Sequence, residues 1–270
     1  MRFRVVASDI DGTLLRSDET VSARTVRAID AAVATGATFI LATGRPPRWV
    51  PMIAEMTGHR GLAVCSNGAL VIDLHDERII DVQLHSKASA TTATDAVIDL
   101  LPDAMFAVDG PGGFGHTPTY VSVFPQRAAK IAPLAELLDG VFTKIMFRHP
   151  DMNAELLDEL IDRIGDNATV TFGSMGDDLG PRTLIEMMPF GVTKAAALQR
   201  IADRNGATAE DVIAFGDMPN DIDMLTWAGH GVAMGNAHPA AKEAADEVTA
   251  SNNEDGLALV LEREVGGTAR

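Results

Sequence analysis

Asp9 and Asp11 stand one residue apart at the end of an apolar run, with Gly12 directly after them. Some two hundred positions later, Asp217, Asn220 and Asp221 follow a second apolar run, 212–215. Thr43 and Gly44 follow a third, 38–41, and Lys194 opens a helical stretch. Hard oxygen donors of this kind suit magnesium, which takes few protein carboxylates together with phosphate oxygens and water. Asp9 and Asp217 can supply two such ligands. With a cation present, several carboxylates can stay ionised beside a phosphate; without one, their mutual repulsion opposes binding. Lys194 and Thr43 can neutralise and hydrogen-bond a transferred phosphoryl group, whose charge sits on its equatorial oxygens. A carboxylate next to a nucleophile can act as an acid and then as a base. Gly12 lets the chain turn sharply after the run.

These groups need elements that bring them to one place. Residues 3–8, 38–41 and 62–65 read as buried strands, because each is a short, continuous apolar run. Between them, Ser22 offers an N-cap to Val26, Ile29 and Val33 at helical spacing, and Gly36 closes that helix. Pro46 and Pro47 lead into another helix. Strand–helix–strand–helix–strand implies a parallel sheet with helices on its faces. In such a sheet, ligands gather beyond the carboxyl ends of the strands.

The rhythm then changes. Asn67-Gly68 signals a tight turn, with short strands expected at 70–72 and 79–83. From about 85 to 187 the elements are mixed: helices at 92–101 and 154–164, and strands at 105–108, 120–124, 144–147, 169–172 and 183–187. Residues 111–115 read as a surface loop that carries Phe114 and leads to His116, and Lys144 and Arg148 as solvated charges. This segment reads as an inserted α+β domain with a largely antiparallel sheet, and Pro189 and Gly191 as the return hinge. After it come helices at 193–205, 221–227, 240–245 and 257–264, a strand at 212–215, and a frayed tail at 266–270. The fold class is therefore α/β, a Rossmann-like core formed by 1–84 and 188–270 with a cap formed by 85–187.

Four motifs stand in order: Asp9-Ile10-Asp11-Gly12-Thr13-Leu14; Ala42-Thr43-Gly44-Arg45; Gly191-Val192-Thr193-Lys194; and Gly216-Asp217-Met218-Pro219-Asn220-Asp221. With Ser66-Asn67-Gly68-Ala69 and Met234-Gly235-Asn236-Ala237, the chain resembles the haloacid dehalogenase superfamily over nearly its whole length, in particular the Cof-like phosphatases with a large α/β cap. The resemblance implies a phosphatase acting on small phosphorylated metabolites, with sugar phosphates as the default, through an aspartyl-phosphate intermediate. It makes Asp9 the nucleophile and a metal ligand. Asp11 becomes the general acid/base, with its backbone carbonyl on Mg²⁺. Thr43 and Gly44 of the second motif, Lys194 and Asn220 hold phosphate, Asp217 binds Mg²⁺, and Asp221 supports the site from behind. A phosphomutase or phosphotransferase would carry the same core motifs, and a non-catalytic ligand sensor could share the fold. Asp-x-Asp-Gly also opens calcium-binding loops, but here the glycine comes too early and no bidentate glutamate follows.

The balance of 38 acidic against 22 basic residues gives a formal net charge of −16, a poor match for nucleic acid or anionic lipid. No apolar stretch approaches the ~18 residues of a membrane span. Cys65 is the single cysteine, so no disulfide can form within the chain; it reads as a buried small hydrophobe. A cytoplasmic location is expected. Oligomeric state is not written in these patterns.

Overall fold

A computed structural model describes residues 1–122, 127–173 and 183–267. The first elements are β1 (Val5–Ser8), α1 (Ala23–Ala34), β2 (Thr38–Ala42), α2 (Pro51–Thr57), β3 (Leu62–Cys65), β4 (Leu70–Asp73) and β5 (Arg78–Val82). Next come α3 (Lys87–Leu100), β6 (Met105–Asp109), β7 (Gly115–His116), β8 (Lys130–Ile131), α4 (Leu134–Leu137), β9 (Lys144–Arg148), α5 (Ala154–Ile164), β10 (Thr169–Gly173) and β11 (Leu184–Met188). The chain ends with α6 (Lys194–Arg204), β12 (Val212–Gly216), α7 (Ile222–Trp227), β13 (His230–Ala233), α8 (Pro239–Ala244), β14 (Glu247–Val248) and α9 (Gly256–Gly266). It divides into two compact units, Met1–Asp81 joined with the chain from Thr193 onward, and Val82–Val192.

The first unit is built on a sheet of order β14-β13-β12-β1-β2-β3-β4-β5. From β14 to β3 all pairings are parallel, and β4 returns antiparallel to β3. Both faces are covered, which is why the central strands read as unbroken apolar runs. Val6, Phe39 and Leu41 pack with Ile29 of α1 and Leu257 and Leu261 of α9. On the opposite face, Val5, Ala7, Ile40 and Ala42 pack with Ala197, Leu198 and Ile201 of α6. Ser22 caps α1 by accepting from the Thr25 backbone N–H at 3.0 Å, and Gly36 beyond its end has φ 94°. Cys65 is fully buried in the first of these clusters. The sequence missed β13 and β14. Each is short, one is broken by Gly231 and the other has two residues, so neither offers a run long enough to read.

The second unit is an α+β arrangement on a sheet of order β10-β11-β9-β6-β7-β8, antiparallel except for the β7–β8 pair. α3 and α5 supply its apolar core through Ala93, Val97, Leu157, Leu160 and Ile164 against Phe106, Ile145 and Phe147. α3 starts earlier than expected because Ser86 caps it, accepting from the Ser89 backbone N–H. One sequence reading holds in part here and one fails. Residues 111–114 form a loop as expected, with Pro111 and Gly112 exposed, but Phe114 is buried against Tyr120 and Met146 and Gly115-His116 forms β7. Lys144 and Arg148 are buried rather than solvated, and Lys144 is ion-paired with Glu186 on the neighbouring strand. The strand expected at 120–124 lies partly outside the described residues, and 120–122 are not in a strand. Of the expected frayed tail, Gly266 closes α9, Gly267 is its C-cap, and 268–270 lie outside the described residues. No helix among the described residues is long and apolar enough to cross a membrane.

Candidate active site

β1 and β12 are parallel neighbours in register Ser8↔Phe215, so the residues just beyond them leave the sheet from the same end. Asp9 and Asp217 follow from that pairing, because Asp9 is one residue past β1 and Asp217 one past β12. β2 flanks β1 on its other side, in register Ser8↔Leu41, and delivers Thr43 to that end. Lys194 is the first residue of α6, whose N-cap Thr193 accepts from the Ala196 backbone N–H at 3.1 Å. Asp9, Asp217 and Asp221 converge, with ligand oxygens all within 4.8 Å of one another.

Lys194 ties this group together. Its Nζ lies 2.5 Å from Asp9 Oδ1 and 2.6 Å from Asp221 Oδ1, and its side chain is fully buried. Asp221 spends its second oxygen on the backbone N–H groups of Asp217 (3.0 Å) and Met218 (2.9 Å). Both its oxygens are therefore committed to shaping the loop that carries Asp217. Asp217 Oδ1 accepts from the Thr13 hydroxyl at 2.9 Å. Its Oδ2 sits over Gly12, where an added Cβ would lie 2.1 Å away. Gly12, at φ 78°, is thus required both by its backbone and by the close approach of the carboxylate. Gly216 plays the same part for Asp221, whose Cβ lies 2.5 Å from where a methyl group would project.

Three carboxylates face one ammonium, which leaves two negative charges uncompensated. Burial pushes Asp217 up to about 7, and the neighbouring Asp221 carboxylate adds to the rise against the Thr13 hydrogen bond. Burial likewise raises Asp9 well above the usual carboxylate range, although Lys194 pulls it down. Lys194 is itself raised: burial opposes its charge, and the Asp221 and Asp9 carboxylates outweigh that. Lys194 thus remains the cation, and the unmet charge falls on Asp9 and Asp217. A divalent cation would cancel it, and these two residues, each with one oxygen engaged at Lys194 or Thr13, are the donors that fit one.

Other expected residues are placed differently. The Asp11 side chain is half exposed and turned to Arg45, whose Nε and guanidinium NH₂ donate to its two oxygens at 2.8 and 2.5 Å. Thr43 is buried, its hydroxyl accepting from the Arg45 backbone N–H at 3.0 Å. Asn220 donates from Nδ2 to Asn67 Oδ1 at 3.0 Å. Gly44 runs beside Asn67, with room for a Cβ only 3.1 Å from that same oxygen. Sequence reading assigned no part to Arg45, Thr13 or Asn236. Asn236 donates to the Gly12 carbonyl (2.8 Å) and accepts from the Asn252 backbone N–H (2.9 Å), which fixes the loop after β1. All three lie within the recognised motifs, so the motifs themselves were the available signal.

A family model described as haloacid dehalogenase-like hydrolase matches residues 6–261. The chain belongs to the haloacid dehalogenase-like hydrolase family. It is 31% identical over 264 residues to a putative phosphatase of Haemophilus influenzae, covering 97% of this chain and 98% of that one. It is 29% identical over 269 residues to the 5-amino-6-(5-phospho-D-ribitylamino)uracil phosphatase YitU of Bacillus subtilis, covering 95% and 96%. The fold matches that of BT1666, a phosphatase of this superfamily from Bacteroides thetaiotaomicron, with a TM-score of 0.80 and 22% identity over 98% of this chain and 95% of that one. The α/β fold and family membership expected from the four motifs are thereby met.

Proposed function

We propose that this haloacid dehalogenase-like hydrolase is a magnesium-dependent phosphatase that cleaves small phosphorylated metabolites through an aspartyl-phosphate. The observation that carries this reading is the buried Asp9–Lys194–Asp221 chain beside Asp217, a site that gathers three carboxyl groups around one ammonium. Asp9 attacks phosphorus in line while the ester oxygen departs as an alcohol, taking its proton from Asp11. Asp11 then accepts a proton from water as that water attacks the phosphoryl group, releasing inorganic phosphate and restoring the Asp9 carboxylate. To reach the ester oxygen, the Asp11 carboxylate must exchange Arg45 for the substrate. Lys194 orients Asp9 and, together with Thr43, Gly44 and Asn220, serves the phosphoryl oxygens. Asp9, Asp217 and the Asp11 backbone carbonyl would hold Mg²⁺, which screens charge between carboxylates and phosphate. The relative named for a phosphorylated ribityl compound supports a phosphate ester on a polyol-like skeleton. An acidic chain with one buried cysteine supports a cytoplasmic enzyme that does not bind nucleic acid.

The test is release of phosphate from a panel of phosphorylated metabolites and from p-nitrophenyl phosphate, with and without Mg²⁺, by wild type and Asp9→Asn. Expected is Mg²⁺-dependent turnover that Asp9→Asn abolishes while its fold stays intact. Near-normal rates in that variant would refute the nucleophile assignment. Isomer formed from a sugar phosphate in place of free phosphate would identify a mutase on the same core.

A further inference from the structure

The turn Ser66–Gly68, between β3 and β4, has three consecutive residues with positive φ: 49°, 53° and 103°. For serine and asparagine this left-handed backbone persists only where surrounding structure holds it. Both side chains are buried. The turn is held from several sides. Ser66 N–H donates to the Arg45 carbonyl at 2.9 Å and Asn67 N–H to the Thr43 carbonyl at 3.0 Å. Gly68 leaves no space for a side chain, because a Cβ would stand 2.0 Å from the Thr193 carbonyl oxygen, and its own carbonyl accepts from Arg200 at 3.1 Å. At the centre, Asn67 Oδ1 accepts from Asn220 Nδ2, with Gly44 passing alongside. One turn therefore touches the exit of β2, the entry of the Lys194 helix and the Asn220 side chain. These are the segments assigned above to the phosphoryl group.

We propose that Asn67 is a positioning residue for phosphate binding: its amide fixes Asn220 and the Thr43-Gly44 strand exit so that together they receive the phosphoryl oxygens. The ligand's identity rests on the phosphatase reading. Asparagine is also the side-chain-bearing residue most at ease in left-handed backbone, so a purely conformational role has to be separated from a positioning one. Asn67→Gly does this, because glycine adopts the left-handed backbone without strain while the amide is lost.

The experiment compares wild type, Asn67→Gly, Asn220→Ala and the double variant. It measures melting temperature, affinity for inorganic phosphate by calorimetry in Mg²⁺, and kcat and KM for p-nitrophenyl phosphate. Asn67→Gly is expected to melt within about 5 °C of wild type, because relief of the left-handed backbone offsets part of the lost hydrogen bond and of the added freedom of the unfolded chain. Its phosphate affinity should weaken about tenfold and KM rise in parallel, as loss of one ordered hydrogen-bonding group implies. The double variant should be no weaker than the worse single variant, since the two amides act as one unit. Unchanged phosphate affinity in Asn67→Gly overturns the proposal. So does an affinity lost in step with melting temperature, or full additivity with Asn220→Ala. Should wild type fail to turn over aryl phosphate, the phosphatase reading falls, while the phosphate affinities still judge the Asn67 assignment.

Discussion

Asp217→Asn should stabilise the metal-free protein while destroying its response to magnesium. In the folded chain Asp217 is pushed from 3.8 up to about 7, mainly by burial and then by the Asp221 carboxylate. For an acid raised in this way, the folded state holds its proton more tightly than the unfolded state. No penalty exists below about pH 4, where both forms are protonated. The penalty grows as pH rises towards 7 and is complete above it. Each pH unit of that interval is worth ~1.4 kcal/mol, so ionised Asp217 without metal costs on the order of 4 kcal/mol. Asparagine keeps the Oδ1 acceptor for the Thr13 hydroxyl and places an amide donor among carboxylates, so most of that cost is relieved.

A gain of about 2–4 kcal/mol corresponds to about 5–10 °C in melting temperature for a chain of this size. Thermal unfolding at pH 5 and pH 8, with and without Mg²⁺, reads the effect. At pH 8 without metal the variant should melt higher than wild type, and at pH 5 most of the difference should vanish. Saturating Mg²⁺ should raise wild type, by about 2.7 kcal/mol at a hundred times Kd, and leave the variant unmoved. An equal gain at both pH values would show that charge is not the cause. A loss at pH 8 would refute the claim that Asp217 is held against its own repulsion.

Lys194→Met should destabilise the protein by about 3–5 kcal/mol near neutral pH, because it leaves the buried Asp9 and Asp221 carboxylates facing each other, and chemical denaturation measures the loss. Gly12→Ala should keep the sheet but weaken Mg²⁺ binding by more than about tenfold, since its methyl group would displace the Asp217 carboxylate at a left-handed position; titration calorimetry gives the affinity. Arg45→Ala should leave kcat/KM for p-nitrophenyl phosphate unchanged or raise it by up to about tenfold, since it frees the Asp11 carboxylate from a forked pair it must leave to meet the substrate; a fall in steady-state assays would show that Arg45 is needed to orient Asp11. Glu247 is held at about 2 by its hydrogen bond to Arg263, with His230 adding to the effect. This partly exposed acid is lowered, so its contribution is present above about pH 4.5 and lost as pH falls towards 2. Glu247→Gln should therefore shift the acid-unfolding midpoint only slightly, by circular dichroism.

The convergence of Asp9, Asp217 and Lys194 was readable because each follows or opens an element whose period is plain in the local sequence. A continuous apolar run ending in a carboxylate states both the strand and the end at which the acid leaves it. What could not be read depends on pairs with no shared period. Arg45 grips Asp11 across 34 positions, Asn220 meets Asn67 across 153, and Lys144 meets Glu186 across 42. For Lys144 the local pattern even misleads, because a lysine on a strand in isolation reads as a solvated charge and only its partner makes burial tolerable. Glycines are less legible still, since their contribution is space that another residue fills. Gly12, Gly216 and Gly68 carry no chemistry, yet they set how closely Asp217, Asp221 and the Thr193-Lys194 turn can approach. The strained Ser66-Asn67 backbone belongs with them: a sequence can show that asparagine and glycine make a turn there, but not that the turn is clamped between the segments proposed to bind phosphate. If that clamp is what orients Asn220, geometry at this site is held by residues that never touch the reacting atoms. Substitutions there should then change phosphate affinity without first changing the fold.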